Sequence, residues 1–402
     1  MQRYATGKQL RSQNIRTFTG PYVILLALLF LTALNIINRF YYMAFCAVIF
    51  LFLVQYDAVK LPRAIMPALL LSVSMCIFSP SVSYTLLGLL KQFTYPLCVL
   101  IGYNLIYSND ARIAEKQSII LTIVLALGAY GHYLLNLLMN RGVILERNML
   151  DFWTKSALSA TGQAALACMI VAVATALLFM SMRKLVKIPM VAILGSVLYY
   201  NLMLAGRTLF VLSGVAMAVA FVAKFIVAPN PAVRIKLLVG MGIIGTILIV
   251  LFSSNAFGIQ DVITKSNFYD RFFDDSAMGI DEDGRLENKL KYLSLMWEYP
   301  FGGGEIHRVV GGYAHDIIFD TYDEGGFFAL LAIMLLLTDM VVKCLKVFRN
   351  PRVSENFTIL VVTFLVVVML EFMVEPILVG MPWLLASYCV LYGAYGRLAE
   401  MS

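Results

Sequence analysis

Apolar runs of about 17–24 residues recur along most of the chain and leave little room for any architecture other than a bundle of membrane-crossing helices. A peptide group in hydrocarbon finds no water, so a crossing segment must satisfy its own N–H and C=O groups, which a helix does internally. Transmembrane strands would read instead as short alternating segments. Composition agrees: 61% of the 402 residues are hydrophobic and 14% are charged, against about 45–50% and about 25% in soluble domains. The expected fold class is all-α, a polytopic integral membrane protein. About twelve transmembrane helices are expected, near 21–37, 40–55, 64–80, 84–107, 118–139, 160–182, 187–205, 208–228, 234–253, 326–347, 357–376 and 381–397. The chain reads as one transmembrane domain, 1–402, without a soluble domain or an internal repeat.

Basic residues alternate between connections. Arg3, Lys8, Arg11 and Arg16 precede the first run. Lys60 and Arg63, Arg112 and Lys116, Arg183 to Lys187, Arg234 and Lys236, and Lys346 to Arg352 follow in every second connection. The intervening stretches Ser79 to Ser83 and Val379 to Pro382 carry no charge. By the positive-inside rule both termini are cytoplasmic, and the long polar segment 254–325 is extracytoplasmic. The net charge of +7 reflects this bias and does not argue for nucleic acid. The six cysteines fall within apolar runs without metal-ligand spacing, so they read as packing residues.

The 254–325 loop is where chemistry is expected. Leu286, Leu290, Leu293 and Trp297 recur at helical spacing, which predicts an amphipathic helix lying on the membrane or on the bundle. It would begin at Arg285 and stop before Pro300. Gly302, Gly303 and Gly304 then let the backbone turn or approach a ligand closely. His315 follows, and imidazole is the side chain most easily poised as a base near neutral pH. Its bland alternative is a solvated loop histidine, and His307 suits that reading better. The run Asp281-Glu282-Asp283 and the pair Asp274 and Asp275 read as a solvated acidic turn, not a calcium loop.

Two cations lie outside this loop. Arg207 stands where two runs meet with almost no connection, at the outer boundary by the charge count. It either snorkels to the interface or offers its planar fork to phosphate oxygens. Lys91 lies inside the fourth run, where charge is costly. It either meets a lipid phosphate or pairs with Glu371 or Glu375. Asp339 and His132 are weaker cases of the same kind.

In order and topology these residues resemble the O-antigen ligase and Wzy polymerase superfamily of bacterial membrane glycosyltransferases, of GT-C-like fold. That family shows an arginine before an amphipathic helix, a Pro-x-Gly-x-Gly turn, His-Asn, then an acid and a glycine. Here these are Arg285, Pro300-Phe301-Gly302-Gly303-Gly304, His315, Glu324 and Gly326. Gly206-Arg207-Thr208 and Ala160-Thr161-Gly162 match two further family segments, and the resemblance covers roughly 145–345. Asp316 departs from it, standing where the family has asparagine.

The resemblance implies a metal-independent, cofactor-free, inverting transfer of glycan from an undecaprenyl-pyrophosphate-linked donor to a glycan acceptor. Such a reaction runs on the outer face of the bacterial plasma (inner) membrane, with polysaccharide assembly or chain-length proteins as partners. Arg207 and Arg285 would hold the pyrophosphate and His315 would be the base. Lys91, Glu324, Gly302 and Gly304 would line the substrate. Polymerase is favoured over ligase as the commoner use of the scaffold. A transporter of lipid-linked sugars and a non-catalytic scaffold are the rival classes.

Overall fold

The computed structural model describes residues 20–55, 59–80, 85–141, 148–228, 230–269, 284–350 and 353–401. The N-terminal basic residues, Arg352 and the acidic residues 274–283 lie outside them. A helix stands at every expected window: α1 Gly20–Ala33, α2 Phe40–Gln55, α3 Ile65–Phe78, α4 Leu86–Leu105, α5 Ala111–Met139, α6 Ala160–Phe179, α7 Lys184–Met203, α8 Arg207–Val227 and α9 Pro231–Ser253. After the polar loop, which carries α10 Arg285–Leu295 and α11 Glu305–Val310, come α12 Ile317–Phe348, α13 Glu355–Val374 and α14 Pro382–Met401. Among the described residues, eight helices are long and apolar enough to cross a membrane: α4 to α9, α12 and α13. Helices α1, α2 and α3 are apolar but have only 14 to 16 residues. At about 1.5 Å per residue they fall short of the roughly 30 Å hydrocarbon core. Helix α14 has 20 residues but carries Arg397 and Glu400 in its last turns.

The helices begin where short polar side chains can accept from free N–H groups. Thr85, Asp110, Ser159, Asn230, Asp316 and Ser354 cap α4, α5, α6, α9, α12 and α13 in this way. Packing then follows side-chain size. Helix α6 is rich in alanine and buried on nearly every side, against α5, α7, α8 and α13. Small residues admit close backbones where dispersion drives association. Gly102 of α4 and Gly393 of α14 show this most sharply. A Cβ at Gly102 would lie 1.8 Å from the Val390 carbonyl oxygen, and one at Gly393 would lie 2.1 Å from that of Val99. At the other extreme, no described side chain of α9 is buried.

A short antiparallel hairpin, Asn148–Leu150 with Ala157–Ser159, precedes α6. It is anchored by Asp151, whose carboxylate lies 2.7 Å from His132 Nε2 of α5. Burial pushes the Asp151 carboxyl up, but hydrogen bonds from His132 and Thr154 outweigh this and hold it at about 2. Trp153 adds an indole N–H bond to the Leu34 carbonyl. The hairpin thereby fixes the start of α6.

Candidate functional site at the α10–α13 corner

Helix α10 forms where the amphipathic pattern places it, with its apolar stripe turned away from the bundle. Leu286, Leu290, Leu293 and Trp297 are exposed. The opposite face, Arg285, Lys289 and Tyr292, packs inward. Arg285 Nη1 donates to the Val374 carbonyl at 3.0 Å, and Lys289 Nζ donates to that of Met373 at 2.8 Å. These are last-turn carbonyls of α13, where no intrahelical donor remains and the helix dipole favours cations. One residue beyond α13, the buried Glu375 carboxylate lies 3.7 Å from Arg285 Nη1. Burial pushes that carboxyl up to about 7, against the pull of Arg285, and Thr161 also bonds it. The charge on Arg285 is therefore only partly matched near neutral pH, which leaves donors for an anion.

Lys289 also reaches Asp316, 3.0 Å from Nζ to Oδ2, while Asp316 Oδ1 caps the Ile318 N–H of α12. The charge on Asp316 therefore has its own counterion. Removal of Lys289 would leave Asp316 half-matched and nearly buried. Lys289→Met is expected to cost about 1–3 kcal/mol, and adding Asp316→Asn to recover most of it. Thermal unfolding of both variants tests this; equal Tm values for single and double would show that Lys289 does not support Asp316.

His315 immediately precedes Asp316 and is held in the left-handed region, φ 54°. The restraint comes from Asp320, a residue the sequence does not single out. Its Oδ1 accepts from the Ala314 N–H at 3.1 Å and its Oδ2 from the Asp316 N–H at 3.2 Å, clamping the backbone on both sides of the histidine. Tyr292 fixes the preceding turn through the Gly312 carbonyl.

The glycine turn meets protein, not open space. Helix α12 is broken at Gly326, φ 68° and ψ −163°. The groups this frees are taken up by the turn: Gly304 N–H bonds the Asp323 carbonyl at 2.8 Å, and Phe327 N–H bonds that of Pro300 at 2.9 Å. A Cβ at Gly302 would lie 2.5 Å from the Gly326 nitrogen, and one at Gly304 would lie 2.9 Å from Pro80. Glu324 is buried with a carboxylate oxygen on the Ser79 hydroxyl. Asp323 Oδ1 caps α11 at Ile306 and His307, and the His307 ring stacks on Tyr313 at 4.3 Å. Gly302, Gly304 and Glu324 thus join the turn and the break in α12 to the end of α3.

Arg207 opens α8 behind a tight turn in which Asn201 Nδ2 donates to the Gly206 carbonyl at 2.6 Å. Helix α8 packs on both α6 and α13. Because α6, α7 and α8 run alternately, Arg207 stands at the same end of the bundle as Thr161 and Glu375. Lys91 departs from one of its two readings. Its ammonium lies 5.6 Å from the centre of the Tyr41 ring, and Arg285 is the cation beside Glu375. Asp339 is matched by Lys343 and Tyr392, and His132 by Asp151.

No protein-family profile matches the chain, and no curated protein matches it by sequence.

Proposed function

We propose that the protein is a membrane glycosyltransferase that moves a glycan from a polyprenyl-pyrophosphate donor to a sugar hydroxyl, at the membrane face where Arg207, Arg285 and His315 lie. The observation that carries this reading is the α10 grip: one helix face presents Arg285 and, through Lys289 and Asp316, ties it to the clamped His315. A permanent cation and a restrained imidazole at one corner suit a reaction that expels a phosphate and removes a proton.

In the proposed step the acceptor hydroxyl gives its proton to the His315 imidazole. The freed oxygen attacks the anomeric carbon opposite the leaving group. The bond from that carbon to the pyrophosphate oxygen breaks, and the electron pair leaves on the polyprenyl pyrophosphate. Arg285 and Arg207 stabilise the growing negative charge there. Attack from the opposite face inverts the anomeric centre. The grouping of Arg207, Arg285, Lys289 and His315 toward one end of the bundle supports surface chemistry over passage through it. Glu371, buried in α13 with neither carboxylate oxygen hydrogen-bonded among the described residues, is by contrast the feature a transporter would use. The basic connections at 60–63, 112–116 and 183–187 belong to the other end, which makes the Arg285 end extracytoplasmic under the positive-inside rule. The reading commits to polymerisation of lipid-linked repeats, with transfer to a different surface acceptor as the competing outcome.

Arg207→Ala is expected to weaken donor binding and lower turnover together, each by about tenfold or more, as loss of a charge-assisted phosphate contact. Purified protein with lipid-linked oligosaccharide provides the measurement. Unchanged donor Kd and rate would remove Arg207 from the site. Unmodified glycan from the wild-type protein, with uptake into vesicles, would replace the transferase reading by a transporter.

A further inference from the structure

We propose that the cavity between Arg39 and Lys91 is a second phosphate-binding pocket, which holds the headgroup of the acceptor lipid while Arg285 and Arg207 hold the donor. The inference rests on the transferase reading for the word acceptor, and on its own residues for the phosphate.

The cavity, about 310 Å³, lies where the α1–α2 turn, the first turns of α4 and the segment after Glu375 meet. Arg39, Tyr41, Lys91 and Gln92 line it, closed by the 378–380 backbone. Such a volume fits the usual range for a small-ligand site. Both cations are exposed, and among the described residues neither has a carboxylate within ion-pair distance. Arg39 spends one donor on the Asn38 carbonyl, and Lys91 rests over Tyr41. Gln92 is half-buried and brings an amide whose Oε1 has no hydrogen-bond partner among the described residues. Its amide can rotate to point either its NH2 or its oxygen at a ligand.

The turn that presents Arg39 is strained. Asn35, Ile37 and Asn38 all have left-handed φ, at 51°, 56° and 53°. For a β-branched residue such as Ile37 this is a true outlier, and such strain gathers at ligand-binding positions. Unmatched cations also run against the charge bias of this end of the bundle.

The pocket shares a wall with the candidate site. Residues 375–382 form that wall: Glu375 faces Arg285, Ile377 N–H bonds the Glu375 carbonyl, and Leu378 to Gly380 face the Arg39–Lys91 cavity. Transfer between two lipid-linked molecules needs both headgroups at one depth, because each tail is confined to the same leaflet. Two cationic pockets on either side of one strap meet that requirement.

The test uses the full-length protein in nanodiscs, with a polyprenyl diphosphate as probe and native mass spectrometry as readout. Wild-type protein is expected to hold two equivalents. The double variant Arg39→Gln, Lys91→Gln should hold one, its pocket affinity falling by about tenfold or more, and Arg285→Ala should lose the other. With active protein, the double variant should raise the acceptor KM by a similar factor and leave kcat near wild type. Two equivalents retained by the double variant, or displacement of its lost equivalent in wild type by phosphatidylglycerol at equal concentration, would overturn the pocket. So would an unchanged acceptor KM. A pocket-dependent second equivalent on a protein that transfers no glycan would instead sink the transferase reading and leave the phosphate site standing. Both substituted side chains are exposed, so an unaltered Tm is the expected control.

Discussion

His315→Ala is expected to lower glycan transfer by about 10²–10⁴-fold, the usual contribution of a positioned general base, with donor binding close to wild type. In the proposed reaction the two effects separate because the donor's phosphates would face Arg285 and Arg207, while the imidazole would face the acceptor hydroxyl. Folding should survive the change. The 314–316 backbone is clamped by Asp320 and Tyr292, neither of which bonds the His315 ring through those contacts. Alanine in the left-handed region costs on the order of 1 kcal/mol, and histidine already bears that strain. The measurement is single-turnover transfer beside direct donor binding. Transfer at the wild-type rate would dismiss His315 as the base. A parallel loss of donor binding would mean that the side chain holds the lipid phosphate. Asp320→Asn supplies the positioning control: it keeps one acceptor oxygen and should fall between wild type and His315→Ala in rate.

Gly326→Ala should have the largest structural effect of any single methyl group in the loop. Its backbone, φ 68° and ψ −163°, lies in a region that side chains other than hydrogen avoid. The added Cβ would lie 2.6 Å from the Phe301 carbonyl carbon and 2.7 Å from the Pro300 oxygen. These are backbone atoms, so no rotamer change relieves the clash. Strain and overpacking together suggest about 3 kcal/mol or more. The 300–304 turn would be pushed off the break in α12, and with it the 317–325 segment that carries Asp320. Loss of transfer should therefore accompany faster proteolysis between 296 and 316. Gly195→Ala is the contrast, since nothing lies within 4 Å of its would-be Cβ. A Gly326→Ala protein with wild-type Tm and cleavage pattern would show that the turn and the break are not coupled.

The positions of the helices were legible from hydropathy because every membrane helix needs the same long apolar run, whatever its neighbours. Helix α10 was legible too, from Leu286, Leu290, Leu293 and Trp297. Which way it faces was not decided by period alone: Arg285, Lys289 and Tyr292 recur just as regularly, and the bonds they make to α13 turn them inward. Lys289 as counterion to Asp316, and Asp320 as clamp, depend on residues far apart in the chain or on backbone N–H groups. Neither leaves a periodic trace. Lys91 illustrates the same limit. Its cost inside an apolar run was evident, but its nearness to Arg39 depends on how α2 and α4 pack. Gly302 and Gly304 pointed to a turn or to close approach to a ligand; the close approach seen is to protein, at Gly326 and Pro80.

Helix α9, with no described side chain buried, has a consequence for the loop that follows it. Protein contacts do little to set its depth or tilt. The surrounding lipid does, through the match of its apolar length to bilayer thickness. The chain leaves α9 at Ser253 and is next held at Phe268, whose ring lies 4.7 Å from that of Phe210 in α8, so the α9 end of this tether is anchored in a fluid. Thinner or thicker bilayers should therefore retune the loop without a change in any residue, and micelles would release that tether first. Lipid thickness is, in effect, an adjustable part of the site.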